Sequence, residues 1–170
     1  MNRILYLDQK TFNNILTYCN YVYKNVFTIL YFTGLRISEF CNINISDIDF
    51  ENKIVFINYD NSKTKFHKRK IFLNDLSFVA FKNLVSNKDI SINSYFLFHP
   101  SANTIKQYIK FINKKSNIHF SAHSFRHSFI TNFYNKCKDL NLTKIEAGHK
   151  SVNSTLIYTH YNELDLRKYF

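Results

Sequence analysis

Apolar side chains recur at the spacing of an amphipathic helix along most of this 170-residue chain. The stretch DQKTFNNILTYCNYVY begins at Asp8, a good N-cap, and places Phe12, Ile15 and Cys19 on one helix face. The next stretch, KNVFTILYFTG, predicts a more fully buried helix that ends at Gly34. By the same spacing, helices are predicted over residues 35–43, 74–87, 101–117, 121–137, 140–148 and 151–161.

In the middle of the chain the pattern changes to β-branched and aromatic residues. The segments KIVFINY (53–59) and RKIFL (69–73) favour strands, and the lysine-rich DNSKTKFHK between them favours a turn. A further short extended segment, YFLFHP, stops at Pro100. No internal repeat, low-complexity linker or domain boundary is visible in the sequence. We therefore expect a mainly α domain with a small antiparallel β-sheet or hairpin, an α+β fold.

The net charge is +11 and the pI about 9.5. A basic surplus suits a polyanionic partner, because each Lys or Arg placed on a phosphate releases condensed counterions. The abundance of Asn, Lys, Ile, Phe and Tyr is also typical of an AT-rich genome. Charge alone therefore leaves nucleic-acid binding and a generally basic proteome equally open.

Cysteine usage and the N-terminus indicate the compartment. Cys19, Cys41 and Cys137 are far apart and odd in number, which fits reduced core thiols of an intracellular protein better than disulfides or a zinc site. The N-terminal sequence reaches Asp8 before a long apolar run builds up, so no signal peptide is predicted. The longest apolar patch, residues 26–32, is too short to span a bilayer. A soluble, cytoplasmic protein is expected, with no membrane partner.

Several kinds of site are excluded because the sequence lacks the motifs that they require. The sequence has neither GxxxxGK[ST] nor GxGxxG, and two glycines in the whole chain leave little room for a glycine-rich phosphate loop. It also lacks HExxH, paired Cys/His spacing and a tight acidic cluster, so no metal is predicted. A phosphate would have to be held by side chains, for which the planar fork of arginine is well suited.

Two arginines, Arg36 and Arg126, lie in motifs that could belong to a phosphate site. Arg36 comes shortly after Gly34 in TGLRISEF, although for this motif alone an exposed or salt-bridged arginine, paired with Glu39, is the more ordinary interpretation. Arg126 lies one helical turn after His123 in HSFRHSF, next to apolar residues that predict a core. A single histidine in such a place is more often structural than catalytic. Neither motif identifies a site without the other.

Taken together, the motifs resemble the tyrosine recombinases, the phage integrase family. The ordered set is TGLRISEF, a basic hairpin containing SKT, HSFRHSFIT and GHKSVNSTLIYTHY. Tyr158 follows His149 by nine residues, as the family pattern requires, and the interval from Arg126 to His149 is that of Xer-type members. The resemblance runs from about Thr33 to His160. It implies the tyrosine-recombinase catalytic-domain fold and site-specific recombination of double-stranded DNA: integration, excision, inversion or resolution.

The resemblance also implies a role for each matched residue. Tyr158 would be the nucleophile that attacks a DNA phosphorus, giving a 3′-phosphotyrosyl link and a free 5′-hydroxyl. Arg36 and Arg126 would hold the non-bridging oxygens of the scissile phosphate. His123 would assist near the nucleophile, and His149 would donate to the phosphate. No cofactor, metal or ATP is implied.

The remaining assignments concern the hairpin and Glu39. Lys63 would be the general acid that protonates the leaving 5′ oxygen, with Lys65 as the open alternative because the turn is about one residue longer than usual. Glu39 would orient the cluster of catalytic groups. Lys65, Lys68 and Arg69 are expected to contact DNA.

The resemblance further predicts the organisation of the protein. Residues 1–170 are expected to form a single catalytic domain without the N-terminal core-binding (SAM-like) domain of many members. An accessory protein would then supply extra grip on DNA. The C-terminal tail, residues 162–170, is expected to join protomers into a dimer or tetramer on DNA. Two alternatives remain: a non-catalytic DNA-binding accessory protein with the same fold, and a DNA-relaxing enzyme similar to type IB topoisomerases.

Overall fold

The secondary structure is mainly helical, with one small sheet. A computed structural model describes residues 5–57, 69–86 and 101–148. The helices in these ranges are α1 (Gln9–Thr17), α2 (Tyr21–Thr33), α3 (Ile37–Cys41), α4 (Asp75–Val85), α5 (Ala102–Ser116), α6 (Ala122–Cys137) and α7 (Leu140–Ala147). The strands are β1 (Ile48–Asp49), β2 (Ile54–Ile57) and β3 (Arg69–Phe72), paired antiparallel in the order β1-β2-β3. The predicted fold class is confirmed.

The first predicted helix is in fact two helices. The helix α1 ends at Thr17 and α2 begins at Tyr21, whereas the apolar pattern predicted a single helix continuing past this point. The break occurs at Asn20, whose side-chain oxygen accepts a hydrogen bond from the backbone N–H of Tyr23 at 2.9 Å. An asparagine that caps a new helix in this way competes with the continuation of the old one.

The sheet contains one strand more than the predicted hairpin. The two-residue strand β1 pairs with β2, with Ile48 opposite Val55. A strand this short shows no alternation of polar and apolar residues, so periodicity could not indicate it. On the other side of β2, Ile57 lies opposite Arg69, so Arg69 opens β3 at the end of the sheet.

The core lies where α2 packs against α4 and α6. Phe27 of α2 and Phe125 of α6 are fully buried, and their ring centroids lie 5.0 Å apart. Phe12 of α1 stacks on Tyr31 of α2 with a centroid separation of 3.9 Å. Aromatic residues contribute most to such cores because each buries a large apolar area. Since Phe125 directly precedes Arg126, this packing also holds the part of α6 that carries Arg126.

Gly34 ends α2 as predicted and brings the following turn close to α6. Its φ is +62°, in the left-handed region that favours glycine, and its N–H donates to the carbonyl of Leu30 at 3.1 Å. A Cβ atom at this position would collide with the ring of Phe129. The turn that leads to Arg36 therefore lies directly against α6.

Several predicted segments lie outside the described residues. These are the basic turn of the hairpin, the extended segment that stops at Pro100, the helix predicted for 151–161 and the tail 162–170. Among the helices of the described ranges, none is long and apolar enough to cross a membrane.

Candidate active site

Arg36 lies at the solvent-facing side of a buried carboxylate. It is the N-cap residue that precedes α3, not a residue within the helix as predicted. Its backbone N–H donates to Oε2 of Glu39 at 2.7 Å, and its Nη1 donates to Oε1 of Glu39 at 2.8 Å. The Arg36 side chain is 42% exposed and that of Glu39 is 7% exposed. Glu39 therefore orients Arg36 from the interior of the protein, while the guanidinium of Arg36 stays accessible to solvent.

Arg69 reaches the same carboxylate from the sheet. Its Nη1 lies 2.8 Å from Oε1 of Glu39 and its Nη2 lies 3.1 Å from Oε2, a two-point contact that matches the fork to the carboxylate. The Arg69 side chain is only 9% exposed. Arg69 was predicted together with Lys65 and Lys68 as a DNA contact, and the structure shows its guanidinium buried and paired with Glu39.

Glu39 is held in its ionised form by these partners. Burial is the largest single influence and raises the pKa of Glu39, but the charge of Arg69, the backbone N–H of Arg36 and the charge of Arg36 together outweigh it. The pKa is consequently lower than the ordinary value of 4.5. One buried carboxylate thus accepts hydrogen bonds from two guanidinium groups and one backbone N–H.

Arg126 is anchored by backbone carbonyls on two sides. Its Nη1 donates to the carbonyl of Gly34 at 2.6 Å, and its Nη2 donates to the carbonyl of Ala147. Burial, followed by the charge of Arg36, lowers the pKa of Arg126 to about 10, so the group remains protonated at neutral pH. Each terminal nitrogen of a guanidinium carries two hydrogens, so each still has an N–H to offer another acceptor.

The C-terminal end of α7 brings the two arginines together. The carbonyl of Ala147 accepts from Arg126, and the next carbonyl, that of Gly148, accepts from Nη2 of Arg36 at 3.2 Å. The carbonyls at a helix C-terminus carry partial negative charge, which favours cations. Gly148 ends the helix with a φ of +61°, and a Cβ atom there would collide with Nη1 of Arg69. Three arginines therefore meet at Ala147 and Gly148, the two residues that precede His149.

Comparison with known proteins shows which family the chain belongs to. The model of the phage integrase family matches residues 5–164. The chain belongs to the phage integrase family. A tyrosine recombinase of Agathobacter rectalis is 31% identical over 140 residues, 78% of this chain and 45% of the relative. The transposase of transposon Tn916 from Enterococcus faecalis is 30% identical over 169 residues, 81% of this chain and 42% of the relative.

A solved structure of the family has the same fold. The integrase of transposon Tn1549, in complex with a circular intermediate DNA, superposes with a TM-score of 0.76 at 23% identity and covers 99% of this chain and 65% of the other. At that identity the match concerns the fold alone. This integrase-family chain spans about half the length, or less, of the relatives that it matches in sequence.

The structure brings together part of the predicted site. Arg36, Glu39 and Arg126 are in one cluster, and His123 is exposed on the first turn of α6, one turn before Arg126. His149 and Tyr158 lie outside the described residues. So do Lys63, Lys65 and Lys68, although the chain enters the described part at Arg69, directly after Lys68.

The side chains of the cluster offer no metal site. Within residues 5–57, 69–86 and 101–148, no group of His, Cys, Asp and Glu side chains is arranged to hold a metal ion.

Sequence reasoning missed Glu146, a buried carboxyl in the last turn of α7. Glu146 is 3% exposed, and its Oε1 has no hydrogen-bond partner in the described part of the chain. Burial raises its pKa to about 7, although Arg69 acts in the opposite direction. A signal was present in the sequence: Glu146 follows the buried Leu142 by four residues, which places both on the inward face of α7.

The pH dependence of stability is expected to report on Glu146. Between its ordinary pKa of 4.5 and the folded value of about 7, the folded state binds more protons at this carboxyl than the unfolded state. The free energy of unfolding should therefore fall as pH rises through this window, by on the order of 3 kcal/mol. Urea unfolding at pH 5 and pH 8 measures this, with Glu146→Gln as the variant that cannot titrate.

Glu146→Gln should unfold at higher urea than the wild type at pH 8 and at a similar urea concentration at pH 5. Glu51→Gln, at an exposed position, is the control and should follow the wild type. An equal pH dependence of the free energy of unfolding in wild type and Glu146→Gln would show that the pKa of Glu146 is not raised in the folded state.

Proposed function

We propose that this chain is the catalytic part of a site-specific DNA recombinase that cleaves and rejoins duplex DNA through a 3′-phosphotyrosyl intermediate. The observation that carries the proposal is the meeting of Arg36 and Arg126 at the consecutive carbonyls of Ala147 and Gly148. The two arginines are 90 residues apart in sequence, and the fold unites them directly before His149. Family membership supports the same activity.

The charges of the cluster suit a phosphodiester transition state. Arg36, Arg69 and Arg126 contribute three positive charges and Glu39 one negative charge. The non-bridging oxygens of a phosphate gain negative charge during the reaction, and fixed guanidinium groups stabilise that charge without having to reorganise. Arg36 is exposed, and each terminal nitrogen of Arg126 has one acceptor among the described residues, which leaves one N–H on each for another acceptor. Both can therefore donate to one phosphate.

The proposed reaction is a pair of transesterifications. The hydroxyl oxygen of Tyr158 attacks the phosphorus and forms a new P–O bond, and its proton passes to His123. The bond from phosphorus to the 5′ oxygen breaks, the electron pair stays on that oxygen, and Lys63 supplies its proton. A 5′-hydroxyl from another strand then reverses the step. The phosphotyrosine conserves the bond energy, so rejoining needs no ATP.

Duplex DNA is the proposed substrate and partner. The net charge of +11 favours a polyanion, and the Tn1549 integrase of the same fold is bound to DNA in its structure. The lysine-rich turn between β2 and β3, with Lys65 and Lys68, is proposed to contact the DNA backbone. The tail 162–170 is proposed to connect protomers into a dimer or tetramer on DNA.

The function can be tested without knowing the target site, by using a pool of DNA duplexes with a randomised sequence. The protein is incubated with nicked duplexes that carry a randomised central segment, in which the nick traps cleaved DNA on the enzyme. SDS-resistant protein–DNA adducts are isolated and sequenced. We expect adducts that converge on one site with DNA linked through its 3′ end.

The alternatives give different results in the same experiment. Sequence-specific binding without any adduct would contradict the recombinase proposal and favour an accessory DNA-binding protein. An adduct accompanied by relaxation of supercoiled plasmid, but by no strand exchange between two sites, would favour a relaxing enzyme.

The general acid of the hairpin is expected to be Lys63. Lys63→Ala should slow cleavage of an ordinary duplex by about 10²–10⁴-fold, because the leaving alkoxide then lacks a proton donor. On a duplex with sulfur in place of the bridging 5′ oxygen, its rate should return to within a few-fold of wild type, since a thiolate leaves without a proton. Cleavage rates on both duplexes, for Lys63→Ala and Lys65→Ala, measure this. The opposite pattern would assign the role to Lys65.

A further inference from the structure

Arg36 and Arg69 both pair with Glu39, next to the proposed phosphate site. Of the two arginines, Arg69 is the less exposed. It opens β3, its side chain is 9% exposed, and its fork contacts both oxygens of Glu39. The same carboxylate orients Arg36 through two hydrogen bonds. Arg69 therefore lies behind the residues that are proposed to touch DNA and is itself turned toward the protein interior.

We infer that Arg69 is a positioning residue that holds Arg36 and the end of α7 in one arrangement for the reaction, an inference that rests on the proposed function. It acts on the reacting phosphate only through its neighbours. Three observations support this role: the charge of Glu39, the close approach to Gly148 and the buried carboxyl of Glu146.

The first observation is the sharing of one carboxylate between two guanidinium groups. Oε1 of Glu39 accepts from Nη1 of Arg36 and from Nη1 of Arg69, both at 2.8 Å. With Arg69 present, the three groups carry a net charge of +1. Without Arg69, Glu39 would neutralise Arg36 in a one-to-one pair, and Arg36 would attract a phosphate less strongly. Arg69 thus keeps Glu39 from cancelling the charge of Arg36.

The second observation is the contact with the end of α7. The backbone of Gly148 lies so close to the guanidinium of Arg69 that a Cβ atom on Gly148 would collide with Nη1. The carbonyl of the same residue accepts from Arg36. Arg69 and Arg36 therefore contact different parts of one residue, the residue that leads into His149. A shift of Arg69 would move this turn and Arg36 together.

The third observation concerns the polar atoms around Arg69. In the described part of the chain, two buried side-chain atoms have no hydrogen-bond partner: Nε of Arg69 and Oε1 of Glu146. They belong to a guanidinium and a carboxyl group, and the charge of Arg69 lowers the pKa of Glu146 against the larger effect of burial. The field of Arg69 therefore also reaches the buried carboxyl of α7. One guanidinium supports the sheet, α3 and α7 at the same time.

The first test needs no DNA and measures the pKa of Glu39 by carbon NMR of its carboxyl. Arg69 is the strongest of the influences that lower this pKa, so the pKa should rise in Arg69→Met. Lys70→Met, at the neighbouring exposed position of β3, is the matched control and should leave the pKa unchanged. An unchanged pKa in Arg69→Met would overturn the inference. Arg69→Gln, which also removes the positive charge, is measured in parallel and decides the question if the methionine variant does not fold.

The second test uses the nicked duplex that the wild type selects from the randomised pool. At saturating DNA, the cleavage rate of Arg69→Met should fall about 10²-fold, as for a small displacement of a reacting group. Arg69→Lys should fall less, because it keeps the charge and loses the fork. DNA affinity should stay within a few-fold of the wild type, because only the hold of Arg36 on one phosphate is weakened, and the salt slope should be unchanged, because Arg69 itself does not touch the DNA. In a double-mutant cycle, Arg69→Met and Glu39→Gln should be non-additive, since the two residues act through one contact.

Three outcomes distinguish a failure of the proposed function from a failure of the inference. If the wild type forms no adduct with any duplex, the proposed recombinase function fails, and the NMR result still decides whether Arg69 sets the charge of Glu39. If the wild type reacts and Arg69→Met reacts at the same saturated rate, the inference fails and the function stands. A loss of affinity with a salt slope smaller by about one, at an unchanged saturated rate, would make Arg69 a DNA-backbone contact and also overturn the inference.

Discussion

Replacing Tyr158 with phenylalanine is expected to abolish the covalent adduct with DNA completely while leaving DNA affinity within a few-fold of wild type. Phenylalanine keeps the ring and removes only the oxygen that would attack phosphorus. The hydroxyl of tyrosine has an ordinary pKa of about 10, so it needs nearby cations to lose its proton. In the proposed reaction, the arginine cluster next to Gly148 would supply such cations.

The control for this experiment is Tyr161→Phe, a second tyrosine three residues further along. It should form adduct at the wild-type rate. Adducts are counted on denaturing gels with the selected nicked duplex, and DNA affinity is measured by fluorescence anisotropy. A persistent adduct in Tyr158→Phe, or a loss of the adduct in Tyr161→Phe, would assign the nucleophile to another residue.

The second large effect is expected for Arg126→Lys, which should lower the cleavage rate at saturating DNA by about 10³-fold. A lysine keeps the positive charge, but one ammonium group cannot reproduce the wide fork that reaches the carbonyls of both Gly34 and Ala147. It would leave a carbonyl without its donor or fail to reach the phosphate. Single-turnover cleavage of the selected duplex measures the rate.

Stability must be measured beside the rate, because Arg126 is 8% exposed and connects α6 to the end of α7. Urea unfolding of Arg126→Lys separates a lost fold from a lost reaction. Lys136→Met, an exposed change on the same helix, should alter neither quantity. A folded Arg126→Lys protein that cleaves DNA at more than a tenth of the wild-type rate would contradict the assignment of Arg126 to the phosphate.

The local sequence was sufficient to predict most of the elements. Apolar spacing identified the helices from α2 to α7, β-branched runs identified β2 and β3, and Gly34 ended α2 because a left-handed residue was required there. Two details of the fold were not predicted. Asn20 divides the first helical stretch, and the two-residue strand β1 is too short for any periodicity to show.

The residues of the candidate site were likewise predicted in part. Arg36, Glu39 and Arg126 were predicted from motifs whose order and spacing are visible in the chain. The prediction that groups Arg69 with the lysines had a physical basis, because Arg69 follows a lysine-rich segment and resembles it in composition. Its pairing with Ile57 across the sheet carries its side chain inward instead. Glu146 was missed because a glutamate is ordinarily a surface residue.

By itself, then, the sequence determined which residue types are available and where helices and strands form, because both follow from neighbours within a few positions along the chain. Only the tertiary structure decided that Arg36, Arg69 and Arg126 meet at the end of α7, at Ala147 and Gly148, and that one carboxylate, Glu39, serves two of them. Hydrogen bonds and charges act over a few ångströms in space. Residues more than a hundred positions apart are brought within that distance by the packing of the core, which no local pattern records.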